Sequence, residues 1–243
     1  MKFKTTLFTL ILLLLLSVGA HSQNNYNKAV LCVPDVPPWY GKNLPHSGPL
    51  TKATVKALTH AGYEVRLQHA SWARIMFDAQ QGKCMILGLW ETKERRAHFY
   101  YSAMPLVRQT LGVYTRRNVN IDALKGGVLA VERSTYVPDS LVAQGWKIYE
   151  LTSLTKGLEM LRLARIDALY SETGHMDYLI AKDSKFKDEI VKAVPQIEVK
   201  FGHLAASKNY QGAQRVLAAF DQHIEAVFAQ MVGEEANWPI PEL

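Results

Sequence analysis

Residues 62–89, GYEVRLQHASWARIMFDAQQGKCMILGL, contain the pattern that decides the fold. Residues 63–68 alternate apolar and polar side chains, which is the period of a half-buried strand. Ser71 then precedes a segment with apolar residues at helical spacing, and Gly82 ends that segment before an apolar run at 84–89. A strand, a helix and a second strand in this order predict two parallel strands joined by a crossover helix.

The same pattern extends in both directions along the chain. Upstream, residues 30–33 form a predicted strand and residues 50–58 a predicted helix. Downstream, the predicted elements are strands at 128–131, 147–151 and 168–170, helices from Pro138 and Ser153, and a last helix at 213–231. The chain therefore contains two α/β units in succession, which is typical of an α/β protein with parallel sheets.

Two extended segments rich in β-forming residues, 109–114 and 197–206, cross between these units. We therefore expect two lobes, each with a parallel-core sheet, joined by a two-stranded hinge. Lobe 1 is predicted to contain residues 23–112 and 205–243, and lobe 2 residues 113–204.

The first 22 residues have the pattern of a secretory signal peptide. Lys2 and Lys4 precede an apolar run at residues 7–18, and small residues end at Ser22. This run is shorter than the roughly 18 residues that a membrane span needs, so we expect cleavage after Ser22 and a soluble periplasmic protein. No cysteine lies near that position, so no lipid anchor is expected.

The charge of the chain excludes nucleic acid as a partner. Removal of Lys2 and Lys4 with the signal peptide lowers the formal net charge from +6 to +4. The basic residues are scattered, with no patch of the kind that binds phosphate backbones.

The chain contains two cysteines, Cys32 and Cys84. An exported protein with two cysteines can form one disulfide. Two buried free thiols in strands are an equally good interpretation, and the sequence leaves both open.

Several short motifs carry a resemblance to a known family. They are Pro37-Pro38-Trp39, Gly48, Trp72-Ala73-Arg74, Gly82-Lys83, Thr92-x-x-Arg95, Ser102-x-x-Pro105 and Ile166-Asp167-Ala168. In their order and spacing the chain resembles the family 3 extracellular solute-binding proteins of amino-acid ABC importers, over nearly all of its length after residue 22. The resemblance implies a type II two-lobed periplasmic-binding-protein fold and a small ligand, an amino acid or a related carboxylate. It also implies a monomer that meets an ABC permease or a membrane sensor, with no cofactor.

The resemblance implies that Arg95, Ser134 and Thr135 hold the ligand carboxylate. A guanidinium donates two parallel hydrogen bonds to a carboxylate. Ser134 and Thr135 follow a strand and are expected to open the next helix, where they could bind an anion or simply cap the helix. Arg133 stands before them, where relatives carry glycine, and could narrow the pocket or add a second positive charge to it.

The resemblance places Glu172 where an acid pairs with the ammonium group of the ligand. An acid at the carboxyl end of a strand lies at the cleft rim of an α/β fold, although an acid in the first turn of a helix also complements the helix dipole. Trp39, Tyr40 and Trp90 are expected to line the cleft with flat apolar faces, or to be core residues.

Catalysis and metal binding are disfavoured by the motifs present. Glu172-x-x-His175 is a single pair, whereas carboxylate-bridged metal sites need two, and Ser153 of Ser153-x-x-Lys156 makes a good helix cap. We therefore expect no metal and no enzyme activity. Because the chain also resembles periplasmic cyclohexadienyl dehydratases in its fold, an enzyme with Glu172 as general acid stays an alternative. A sensory protein that binds its ligand without transport is another.

Overall fold

The computed structural model describes residues 27–124 and 126–234. The signal peptide expected at residues 1–22 lies outside these residues. The strands are β1 (Asn27–Val33), β2 (Tyr63–His69), β3 (Met85–Trp90), β4 (Phe99–Arg116), β5 (Val128–Glu132), β6 (Lys147–Leu151), β7 (Ala168–Glu172) and β8 (Ile190–Ser207). The α-helices are α1 (Pro49–His60), α2 (Trp72–Gln80), α3 (Lys93–Arg96), α4 (Asp139–Val142), α5 (Leu154–Arg162), α6 (Thr173–Ala181), α7 (Ser184–Glu189) and α8 (Ala213–Glu234).

The strands form one mixed sheet in the order β2-β1-β3-β8-β4-β7-β5-β6. β1 pairs in parallel with β2 and β3, and β5 pairs in parallel with β6 and β7. These two parallel sets match the two predicted α/β units. We call the half with β1, β2 and β3 lobe 1, and the half with β5, β6 and β7 lobe 2. The α/β fold class is confirmed, and the residue boundaries predicted for the lobes stay a prediction.

β4 and β8 connect the two lobes. Each is 18 residues long, and they pair antiparallel with one another from Phe99↔Ser207 to Arg116↔Ile190. The extended segments predicted at 109–114 and 197–206 lie within them. Because the pair is continuous, the two parallel sets merge into one sheet.

The hydrophobic core is divided in the same way as the parallel strands. In lobe 1, β1 and β3 pack against α1 and α8, with Leu31, Leu50 and Phe220 fully buried. In lobe 2, β5 and β7 pack against α5 and α6, with Leu158 and Leu169 fully buried. Each lobe therefore has its own apolar interior, and polar side chains can meet between them. None of the helices in the described residues is long and apolar enough to cross a membrane.

Cys32 and Cys84 form a disulfide, with their Cα atoms 5.7 Å apart. Cys32 lies in β1, and Cys84 directly precedes β3, the strand beside it in the sheet. Of the two interpretations that the sequence left open, the disulfide is the one found.

Candidate functional site

The carboxyl ends of the parallel strands meet at a cleft between the lobes, as expected for ligand sites in α/β folds. The cleft has an outer chamber of about 410 Å³ and an inner chamber of about 50 Å³. Residues shared by both linings are Val36, Trp72, Glu132, Leu154 and His175. The two chambers are therefore parts of one space, and the outer one has the volume of a small-molecule pocket.

The outer chamber has walls from both lobes. Lobe 1 contributes residues 33–37 from the end of β1 onward, Lys42, and residues 69–72 from the end of β2 to the start of α2. Lobe 2 contributes Glu132 at the end of β5 and residues 152–155 at the start of α5, and α6 adds His175 and Leu179. A ligand in this chamber would contact both lobes at once.

Glu172 is the last residue of β7 and caps helix α6. Its carboxylate accepts hydrogen bonds from the backbone N–H groups of Gly174 and His175, both at 2.7 Å, and from the indole Nε1 of Trp39 at 3.1 Å. The residue is only 5% exposed. Burial raises the pKa of Glu172, and the three donors oppose that rise. The structure thus makes Glu172 a helix cap and an interlobe contact, because Trp39 belongs to lobe 1.

Arg95 also bridges the lobes. Its Nη1 donates to the carbonyl of Trp90 at 3.1 Å and its Nη2 to the carbonyl of Ser134 at 3.2 Å. Burial lowers the pKa of the Arg95 guanidinium. Thr92 caps helix α3 by accepting from the backbone N–H of Arg95 at 3.2 Å, which explains the Thr92-x-x-Arg95 spacing. Arg95 lines the inner chamber, with two of its donors already engaged by protein carbonyls.

Ser134 and Thr135 do not open a helix, contrary to expectation. Helix α4 begins four residues later, after Pro138, and the backbone N–H of Thr135 instead closes a turn onto the carbonyl of Glu132 at 3.0 Å. Ser134 has a left-handed backbone, with φ of +65°. This conformation turns its carbonyl toward lobe 1, where Trp72 Nε1 donates to it at 3.2 Å alongside Arg95. Thr135 still lines the inner chamber.

Arg133 is not among the described residues that line the two chambers. Its Nε pairs with Glu150 Oε2 at 3.2 Å, and both side chains are 54% exposed. The left-handed backbone conformation that favours glycine occurs at the next residue, Ser134, and not at Arg133. Arg133 therefore lies on the surface of lobe 2 and adds no charge to the cleft walls.

Of the three predicted aromatic residues, two line the inner chamber, whereas Trp39 is not among the residues that line either chamber and donates to Glu172 instead. Tyr40 and Trp90 line the inner chamber, and Trp90 Nε1 donates to Gln109 Oε1 at 2.7 Å. Burial and the nearby Glu172 carboxylate raise the pKa of Tyr40. A Cβ on Gly88 would overlap the Tyr40 hydroxyl, and Gly88 has φ of +71°, so only glycine fits in β3 at this point.

Glu132 was not predicted as a site residue. It lines both chambers, and burial alone raises its pKa to about 7. No described residue forms a hydrogen bond or ion pair with its carboxylate. An acid at the carboxyl end of the apolar strand 128–131 was the signal that could have identified it, by the same argument that placed Glu172 at the cleft.

His175 was considered only as a metal ligand. Its Nδ1 lies 2.6 Å from the carbonyl oxygen of Pro37 in lobe 1, and burial lowers its pKa. Because a carbonyl oxygen can only accept, Nδ1 carries the proton and Nε2 of the neutral ring is an acceptor. Across residues 27–124 and 126–234, no three His, Cys, Asp or Glu side chains form a group that could hold a metal ion.

No protein-family model and no curated protein sequence matches the chain, but solved structures do. A histidine kinase sensor domain with similarity to periplasmic binding proteins superposes with a TM-score of 0.74 at 15% identity, covering 89% of this chain and 98% of that one. Holo ArgBP from T. maritima gives 0.69 at 16% identity, covering 86% and 95%. The GluR0 ligand-binding core from Nostoc punctiforme, in complex with L-glutamate, gives 0.65 at 16% identity, covering 83% and 98%.

These structures share the architecture over nearly their whole length, at an identity that carries information on the fold alone. Their TM-scores of 0.65 to 0.74 show that they share the fold of this chain. The chain has the two-lobed periplasmic-binding-protein-like fold.

Proposed function

We propose that this chain is a periplasmic binding protein that captures a small amino-acid-like ligand in the cleft between its lobes. The observation that carries the proposal is the 410 Å³ chamber, with charged and polar groups from both lobes in its walls. A ligand that bridges both walls stabilises the closed state, which is how hinged binding proteins couple affinity to closure. Two of the proteins with this fold are ArgBP from T. maritima, in an arginine-bound form, and the GluR0 ligand-binding core, in complex with L-glutamate.

The proposed role of the bound form is delivery to an ABC permease, as the resemblance of the motifs implies. Sensing is the second candidate, and a specific observation favours it. The chain superposes on a histidine kinase sensor domain and on the periplasmic VFT2 domain of BvgS from Bordetella pertussis. In either role the ligand would bind the same cleft.

We also propose that the protein is not an enzyme. A dehydratase of this fold would need Glu172 as a general acid with a proton to donate. Burial raises the pKa of Glu172, which favours that role, but both of its oxygens already accept hydrogen bonds from protein donors, two backbone N–H groups and the Trp39 indole.

Thermal shift of the purified mature protein tests the proposal, against amino acids, related carboxylates, polyamines and prephenate. A ligand that binds the folded state raises the melting temperature in proportion to the logarithm of its concentration over Kd. Stabilisation by one amino-acid class without product formation supports the binding role. Conversion of prephenate to a product would establish the enzyme instead, and no response to any compound would contradict ligand capture.

A further inference from the structure

Among the described acids that line the cleft, Glu132 lines both chambers and forms no hydrogen bond or ion pair with the protein, whereas Asp35 lines the outer chamber alone and is exposed. Glu172 has its oxygens occupied by two backbone N–H groups and the Trp39 indole. Glu132 has no such partner among the described residues, although it is partly buried between the two chambers. Withdrawing a carboxylate from water without a donor or a cation is costly, and a ligand that supplies either would remove that cost.

The surroundings of Glu132 favour donors over acceptors in a ligand. Its ionisable neighbours in the outer chamber are Asp35, Lys42, His69 and His175. His175 is neutral and, because its Nδ1 donates to the carbonyl of Pro37, presents Nε2 as a further acceptor. Arg95, the cation of the inner chamber, donates to two backbone carbonyls.

Lys42 does not neutralise Glu132. Burial is the cause of the raised pKa of Glu132, and no described cation forms an ion pair with its carboxylate. Lys42 is exposed at the rim of the outer chamber. The interior wall at Glu132 therefore offers negative charge and lone pairs.

We infer that Glu132, and not Glu172, binds a cationic nitrogen of the ligand, an ammonium or guanidinium group, in the outer chamber. This inference rests on the proposed ligand-binding function and adds the residue that selects the ligand. The acid that pairs with the cationic group of the ligand is then at the end of β5 and not at the end of β7, where the sequence predicted it. Glu172 is left to cap helix α6 and to hold Trp39.

Paired probes that differ in one cationic nitrogen test this inference by calorimetry on the purified mature protein. The pairs are L-arginine with L-citrulline, L-alanine with L-lactate, and putrescine with 4-amino-1-butanol. At pH 8, at least one member with the additional cationic nitrogen should bind more tightly than its counterpart without it. Glu132→Gln should weaken that binding by roughly thirtyfold or more, because it removes a charge-assisted hydrogen bond.

Glu150→Gln is the matched control, since Glu150 is an exposed acid of lobe 2 outside the cleft and should leave the affinity within about twofold. The melting temperature of unliganded Glu132→Gln shows that the variant is folded. Equal affinity of Glu132→Gln and the unchanged protein would overturn the inference, as would binding only of the members that lack the additional cationic nitrogen, and either result leaves ligand binding intact. No binding across all six probes would count against both the inference and the proposed function.

Discussion

At the scale of single residues, Glu132 shows how one position can oppose stability and serve binding. Its pKa is about 7 in the folded protein, against 4.5 as its ordinary value. The folded state therefore holds more protons than the unfolded state between these values. By linkage, the free energy of unfolding falls as pH rises through this window. Above pH 7 the ionised carboxylate costs the fold up to about 3 kcal/mol.

Glu132→Gln should accordingly stabilise the unliganded protein at pH 8 and leave it nearly unchanged at pH 4.5. The neutral amide keeps the shape of the side chain without the buried charge. Urea unfolding at both pH values measures the difference, and the same scan of Glu150→Gln should show none, because that side chain is exposed. A stability gain that is equal at both pH values would contradict the raised pKa.

The candidate site was predictable from sequence in its location but not in its contacts. Arg95, Glu172 and Trp90 do lie at the cleft, because each follows a strand whose end could be located from periodicity. The partners come from the opposite lobe: Trp39 and Glu172 are 133 positions apart in sequence. Which donor reaches which acceptor depends on how the lobes meet, and no local pattern carries that information.

At the scale of elements, periodicity predicted most strands and helices to within a few residues. The longest strands were the exception, since only 109–114 and 197–206 of β4 and β8 were expected. β4 contains Pro105 and β8 contains Pro195, and proline cannot donate to a ladder, so a central strand was not predicted there. The structure accommodates Pro105 with register shifts on both sides of it.

Glu172, which was predicted to bind the ligand, instead stabilises the start of helix α6. Glu172→Ala removes the acceptor of two backbone N–H groups and of the Trp39 indole. Such a loss should destabilise the protein by about 2 kcal/mol, measured by urea unfolding. Asp183→Ala is the control, because Asp183 caps α7 through an exposed bond to Lys185 and should cost less. Equal costs would indicate that Glu172 contributes no more than an ordinary surface cap.

At the scale of the whole molecule, the lobes are held together by the protein's own groups. Four hydrogen bonds between described residues cross the cleft: Trp72 and Arg95 to the Ser134 carbonyl, Trp39 to Glu172, and His175 to the Pro37 carbonyl. Each contributes about 1 kcal/mol. The unliganded protein is therefore expected to favour a closed arrangement, and the inner chamber is correspondingly small.

Trp72→Phe combined with Arg95→Ala should open the unliganded molecule. The pair removes both donors to Ser134, which should shift the closed-to-open equilibrium by about 1 to 3 kcal/mol toward the open form. Small-angle scattering should then give a larger radius of gyration than for the unchanged protein. Arg96→Ala is the control, because Arg96 pairs with Glu91 on the surface. An unchanged radius in the double variant would show that other contacts hold the cleft closed.

The antiparallel pairing of β4 with β8 constrains how the lobes can move. Two adjacent hydrogen-bonded strands cannot slide past one another without breaking their ladder, so relative motion must come from bending or twisting both together. Register shifts between Pro105 and Val107 and between Leu111 and Val113 interrupt the ladder on both sides of residues 107–111, where β4 and β8 pass between the lobes, so bending should concentrate at these two points. The strand pair therefore permits one lobe to rotate relative to the other but resists sliding of the lobes. The two walls of the cleft therefore meet in the same alignment at every closure. A ligand is then enclosed each time by the same arrangement of side chains from both lobes.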